Sequence, residues 1–239
     1  MSIKPYGSEH TKRDEVRLMF DNIAPTYDLL NHSLSLNIDR LWRKKVIKLL
    51  KAKHPKDLLD VATGTGDLAI AALKVKPDKI TGIDISSGMI KIGQEKVEER
   101  GVAGIIDLIE ADSENMPFDD DSFDAVTVAF GVRNFENPLK GLREMHRVTR
   151  TDGLLVVLEF MLPKSWFIRP FYLFYFKRIV PMIGRLISKD FSAYKYLPDS
   201  VQAFPQGNDF VNLLTEAGYR NAGYRSLSAG IAGLYYAEK

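Results

Sequence analysis

Between Lys12 and Lys53 apolar residues recur every three or four positions, the spacing that puts them on one side of a helix. Val16, Met19, Phe20 and Ile23 form such a stripe within 12–33, and Pro25 interrupts it because proline lacks the amide a helix interior needs. Leu41, Trp42, Val46, Leu49 and Leu50 form a second stripe, predicting a helix from Asp39 to Lys53 that stops at His54-Pro55. Beyond it the period changes. Short apolar runs predict strands at 57–62, 79–84, 105–110, 123–129 and 153–160, with helices at 66–75, 87–100 and 138–149 between them. A helix at 207–217 and strands at 222–228 and 231–237 close the chain. This alternation predicts an α/β fold: a mostly parallel, doubly wound sheet with helices on both faces and an antiparallel C-terminal strand. One domain is expected, with N-terminal helices (1–54), a ligand-binding core (55–160), a helical lid insertion (161–205) and a C-terminal helix with strands (206–239).

Composition narrows the function. A hydrophobic content of 45 % supports a sizeable core in 239 residues, and a net charge of +2 without a dense basic tract argues against nucleic acid. The absence of cysteine excludes disulfides and thiolate metal sites. Met1–Asp14 is polar and lacks an apolar signal core, so a cytoplasmic location is expected. The run Trp166–Arg178 is dense in aromatic residues, but Arg169, Lys177, Arg178 and Arg185 break the segment 161–190 well short of the roughly 20 apolar residues of a spanning helix. Two readings stay open for it: a buried edge helix, or an amphipathic lid with its rings at a membrane surface and its cations toward headgroups. The second implies peripheral contact with the inner face of the cell membrane.

The strongest chemical signal is Leu58-Leu59-Asp60-Val61-Ala62-Thr63-Gly64-Thr65-Gly66-Asp67. An apolar strand runs to a carboxylate, turns through two glycines and enters a helix, so backbone can approach a ligand closely. Asp60 and Asp67 flank the turn with no Lys or Arg between them. Both acids repel a pyrophosphate at the helix N-terminus and attract a ligand bearing ammonium and sulfonium charge, such as S-adenosylmethionine. Gly64-x-Gly66-x-x-Ala69 also fits the dinucleotide fingerprint, and Asp84, 84 − 64 = 20 positions on, suits a ribose-binding acid with either ligand. Asp84 fits a helix cap too, since it and Ser86 precede the helix at 87–100. Asp60 is expected to meet the ligand's amino group. Gly64, Thr65 and Gly66 line its approach, and Asp112 and Ser113 suit an adenine amino group and ring nitrogen. Asp119–Asp124 reads as an exposed turn without chemistry.

Four stretches carry a resemblance: Tyr27-Asp28-Leu29-Leu30-Asn31, Asp60–Leu68, Phe130-Gly131-Val132-Arg133-Asn134-Phe135 and Leu158-Glu159-Phe160. With them the chain resembles a Rossmann-like class I S-adenosylmethionine-dependent methyltransferase, and within that class the UbiE/MenG quinone-biosynthesis C-methyltransferases. The likeness runs from about residue 16 to the C-terminus and includes Ser192–Tyr196. It implies methylation of a ring carbon of a polyprenylated demethylmenaquinol to give menaquinol, with S-adenosylhomocysteine as the other product. A ubiquinone precursor or another small apolar acceptor is the alternative. The resemblance also implies donor contacts at Thr65, Asp84, Asp112 and Ser113. Ala129 departs from it, standing where some relatives carry serine.

Such chemistry requires stabilisation of a phenolate and exclusion of water. Arg133 and Asn134 follow the fourth strand at the ligand edge of the sheet. Guanidinium stays protonated, so Arg133 is expected to lower the pKa of the quinol while Asn134 orients a water or hydroxyl. Tyr27 is expected to close over the donor or the ring. A salt bridge from Arg133 to Glu136 or Glu159 is the plain structural alternative. No metal is expected: His10, His32, His54 and His146 lack ligand spacing and read as surface or cap residues.

Overall fold

The computed structural model describes residues 3–35, 37–180, 182 and 190–239; Arg185 lies outside them. The N-terminal stripe folds as α1 (Lys12–Ile23), a 3-10 turn over Ala24–Thr26 and α2 (Tyr27–Leu34), with Pro25 inside the turn. Helix α3 spans Ile38–Lys53 and ends at His54 in a left-handed conformation. Strands β1 (Asp57–Val61), β2 (Lys79–Asp84), β3 (Ile106–Glu110), β4 (Phe123–Ala129) and β5 (Thr149–Phe160) alternate with α4 (Asp67–Ala72), α5 (Ser87–Glu99) and α6 (Pro138–Val148). Next come α7 (Ile168–Phe174), continued by one π-helical turn over Tyr175–Ile179, then α8 (Phe191–Ala203), α9 (Asn208–Glu216), β6 (Arg220–Leu227) and β7 (Ala232–Glu238).

One seven-stranded sheet has the order β3-β2-β1-β4-β5-β7-β6. Strands β1 to β5 pair in parallel, and β7 runs antiparallel to both of its neighbours. This is the doubly wound plan expected from the sequence, reversed only at β7. Alternate residues of each strand serve opposite faces. Leu59, Val61, Val126 and Val128 face Leu142 and Met145 of α6 and Phe210 of α9, while Leu58, Ile80, Ala125 and Val156 face Trp42, Val46 and Leu50 of α3. A third apolar cluster lies off the sheet, where Val16, Met19 and Ile23 of α1 meet Tyr172, Phe176 and Tyr196 of the insertion. Ligands in this plan sit beyond the carboxyl ends of the central strands, and the third cluster stands over those ends.

The 119–124 segment begins as the expected exposed turn, and Asp124 at its end, the second residue of β4, has a structural role. Asp124 accepts hydrogen bonds from the amides of Lys56 (2.8 Å) and Asp57 (2.9 Å) and pairs with Arg150 at 2.7 Å, which latches the entry of β1 to β4. Burial pushes its pKa up, but these donors outweigh burial and hold it below the usual carboxylate value. A depressed folded-state pKa contributes stability above the unfolded value and loses it as pH falls through the folded one. Asp124→Ala should therefore cost about 1–3 kcal/mol in urea unfolding at pH 7, and the gap to wild type should narrow in acid.

Candidate active site

Three residues after β1 adopt left-handed backbone: Ala62 (φ 50°), Gly64 (φ 56°) and Gly66 (φ 79°). The turn they make brings the Gly64 amide to the Asp84 carboxylate at 2.9 Å, while the Ser86 amide reaches the other Asp84 oxygen at 2.9 Å. Ser86, not Asp84, caps α5, its hydroxyl accepting from the Met89 amide. Asp84 lines a cleft with Gly64, Ala129, Asp112 and Ser113. Burial raises its pKa to about 6, against the lowering effect of the two amides. Asp112 spans the outer rim, where Arg13 of α1 pairs with it at 2.9 Å and the Glu114 amide donates to it at 2.8 Å.

The two acids beside the glycine turn do not face this cleft. Asp60 is 1 % exposed and accepts from Thr63 and Thr127 hydroxyls, each at 2.7 Å. It braces the turn from behind, and burial raises its pKa to about 6 despite those bonds. Asp67 pairs with Arg43 (3.2 Å), Lys96 (2.7 Å) and His32 (3.3 Å). Burial opposes its ionisation, but Arg43 and Lys96 prevail and its pKa is lowered. The attraction argued from sequence order therefore changes: cations from α3 and α5, distant in the chain, already neutralise Asp67. Thr65 is also turned inward, its hydroxyl donating to Asp28 at 2.6 Å and accepting from Lys96 at 3.2 Å. Asp28 follows Tyr27, so the same network ties α2 to the glycine turn.

Behind the cleft lies a larger, mostly apolar cavity of about 370 Å³. Phe20, Tyr27, Phe130 and Asn134 line both spaces and form the wall between them. Tyr27 stands over Gly64, where a Cβ would meet its ring at 3.8 Å, and burial raises its pKa. Phe130 is left-handed (φ 59°), a conformation unfavourable for a residue with a side chain. Its carbonyl accepts from the Arg133 guanidinium and, at 3.4 Å, from the Asn134 amide. Arg133 pairs at 2.8 Å with fully buried Glu159 and packs on the Phe160 ring at 5.4 Å. The Glu159 salt bridge considered from sequence thus exists, while Arg133 Nε and Asn134 Oδ1 are buried without hydrogen-bond partners among the described residues.

Two cations had no sequence signature as site residues. Arg13 closes the rim as described. Lys12 is buried, and its ammonium donates to the carbonyls of Arg133 (2.9 Å) and Phe135 (2.7 Å), so α1 fixes the loop that carries Arg133 and Asn134. Of the histidines, His10 is exposed and His54 is the exposed C-cap of α3, as expected, whereas the other two pack against neighbours. His32 sits between Asp39 and Asp67, and His146 is half-buried edge-on to Tyr219 at 4.9 Å. The ligand atoms of His32, Asp39 and Asp67 lie within 4.8 Å of one another. Arg43 holds both carboxylates of that group and Lys96 holds Asp67, which makes it an ion-pair lattice.

The description of the ubiE/COQ5 methyltransferase family matches residues 8–239. The demethylmenaquinone methyltransferase of Bacteroides fragilis is 48 % identical over 238 residues, covering 99 % of this chain and 97 % of that one. The ubiquinone/menaquinone biosynthesis C-methyltransferase UbiE of Geotalea daltonii is 46 % identical, covering 95 % and 97 %. Among solved structures, a SAM dependent methyltransferase from Aquifex aeolicus aligns with a TM-score of 0.58 at 20 % identity, covering 82 % of this chain and 88 % of that one, which shows a shared fold.

Burial and the nearby Arg133 lower the Lys12 pKa from 10.5 to about 8, against the raising effect of Glu114 and Glu136. Between those values the unfolded chain binds more protons than the folded one, so stability rises with pH. Wild type should therefore gain on Lys12→Met as pH climbs from 7.5 to 10, measured by urea unfolding at each pH.

Proposed function

Because this chain belongs to the ubiE/COQ5 methyltransferase family, we propose that it methylates a ring carbon of a polyprenylated demethylmenaquinol, the last step of menaquinone biosynthesis. It is an S-adenosylmethionine-dependent C-methyltransferase of quinone biosynthesis. The observation that carries the acceptor reading is the shared wall: a polar cleft and a 370 Å³ apolar cavity meet at Tyr27, Phe130 and Asn134. A donor and an apolar ring, held on either side of it, face each other.

The cleft fits the donor. Asp84 accepts one bond on each carboxylate oxygen and lines the open space, so lone pairs remain for ribose hydroxyls. Ser113 and Asp112 stand at the adenine end, while Asp60, Thr65 and Gly66 act from behind by fixing the turn that places Gly64. When bound, the donor supplies an electrophilic methyl group on a sulfonium. On the acceptor side, Arg133 Nε has an unused N–H for a quinol oxygen as it loses its proton. Asn134 Oδ1 accepts the hydrogen bond of that hydroxyl or of a water carrying the proton away. Glu159 keeps the guanidinium in place and balances its charge, so the cavity stays nearly neutral until the ring ionises. Tyr27, standing over Gly64, would cover the donor beside this junction and exclude bulk water while leaving the path of the methyl to the ring open.

The acceptor's tail would leave through the insertion. Trp166 (81 % exposed), Phe167, Phe171 and Phe174 face outward, and Ile168 and Phe171 also line the cavity. Arg169 and Arg178 are exposed beside them. Among the described residues no helix is long and apolar enough to cross a membrane. Exposed rings flanked by cations suit the interface of an anionic bilayer, and this face is our proposed peripheral contact.

Donor-dependent turnover of demethylmenaquinol tests the activity. Arg133→Ala should lower kcat by about 10²-fold or more with S-adenosylhomocysteine affinity retained, whereas Asp84→Asn should weaken that affinity in calorimetry; unchanged turnover in Arg133→Ala removes the residue from the mechanism. The protein should sediment with anionic vesicles at low salt, less so at high salt, and Trp166→Ser with Phe171→Ser should abolish sedimentation. Failure of wild type to sediment at low salt would leave the segment as edge packing.

A further inference from the structure

The wall of the larger cavity, which Arg133 also lines, holds two polar residues that the mechanism above does not use. Tyr172 of α7 and Tyr196 of α8 line this cavity at 7 % and 4 % exposure, and neither hydroxyl has a hydrogen-bond partner among the described residues. Buried hydroxyls in folded proteins are nearly always bonded, so two unbonded ones in one cavity wall mark where a partner arrives from outside the chain. Arg133 and Asn134 line the same cavity as the two tyrosines.

Position and protonation agree with a ligand role. Tyr172 stacks on Phe176 with ring centroids 4.9 Å apart, so its hydroxyl is held by packing alone. Burial raises both phenols, Tyr196 to about 12, so each keeps its proton in neutral solution and donates. Among the described residues, Arg133 Nε and Asn134 Oδ1 are also buried and unbonded, and both residues line this cavity. Arg133 and Asn134 come from the core and the tyrosines from the insertion, so the two pairs approach a bound ring from different elements. A purely apolar acceptor leaves all four as unpaired as they are in the free protein, whereas a ring with two oxygens gains affinity by satisfying both pairs.

We propose that Tyr172 and Tyr196 bind the second ring oxygen of the acceptor, across the ring from the one that Arg133 and Asn134 address. The enzyme thereby selects aromatic rings carrying two para oxygens over other apolar rings. This inference rests on the quinol reading and adds its specificity element: the tyrosines act as binding residues for the oxygen remote from the methylated carbon.

The test is steady-state methylation of a short-chain 1,4-dihydroxynaphthalene and of the same compound without the remote hydroxyl, by wild type, Tyr172→Phe and Tyr196→Phe. Each variant should raise KM for the diol about 5- to 10-fold, leave KM for the monohydroxy compound unchanged and so lose most of the preference for the diol. Affinity for S-adenosylhomocysteine should not change. Both variants should unfold at the same or higher urea concentration than wild type, because each removes an unpaired buried hydroxyl. A merely structural role would lower the unfolding midpoint and leave the preference intact. Unchanged preference in both variants, or an equal rise in KM for both acceptors, overturns the proposal. Wild type that methylates neither compound removes the quinol reading, and this proposal falls with it.

Discussion

The buried pair between Arg133 and Glu159 is the contact on which the acceptor side is built. Glu159 lies near the end of β5 and Arg133 just beyond β4, so one ion pair joins the exits of two adjacent parallel strands. A charge of either sign alone in this place is costly, and removing one partner of such a pair strands the other. Further bonds lock the arrangement: the guanidinium reaches the Phe130 carbonyl, the Arg133 amide donates to Glu159 at 3.3 Å, and Lys12 holds the Arg133 carbonyl from the far side. Phe130 accepts a strained backbone in order to point its carbonyl at the guanidinium. Strain of this kind persists only where the surroundings over-determine it, and here it accompanies the wall between the two binding spaces.

Fixing that wall constrains the elements around it. Tyr27 must stand over Gly64 for the cleft and the cavity to meet, and α2 is held there through Asp28, which bonds Thr65 and Lys96. The acids nearest the glycine turn are used for this scaffolding. Asp67 gathers Arg43, Lys96 and His32, and Asp60 braces the turn through two threonines. Asp84, at the end of β2, remains on the cleft wall together with Asp112.

Much of the fold was legible because strand and helix periods are local properties. The boundaries of β2 and β4 match the apolar runs, and Pro25 falls where the first helix breaks. Helix α8 was not individually legible: Pro198 inside it reads as a breaker, while Asp190 caps its start through the amides of Ser192 and Ala193. In the candidate site, the place of Asp84, Arg133 and Asn134 on its walls was legible, since Asp84 ends one predicted strand and the other two follow another. Lys12 was not, because its partner Arg133 lies 121 positions away, and only tertiary folding brings them together. The charge argument at the turn changed for the same reason. Linear neighbours of Gly64 proved to be acids, but its spatial neighbours include cations from α3 and α5.

The size of the inner chamber carries a consequence for the isoprenoid. About 370 Å³ accommodates a bicyclic head and the beginning of a tail, and a long polyisoprene has to continue outward past Phe171, which belongs both to the chamber wall and to the surface. Only the units nearest the head are then gripped by protein. Homologues of the lipid differing in the number of distal isoprene units meet the same contacts, so on the quinol reading the catalyst measures the head and is indifferent to how far the tail extends.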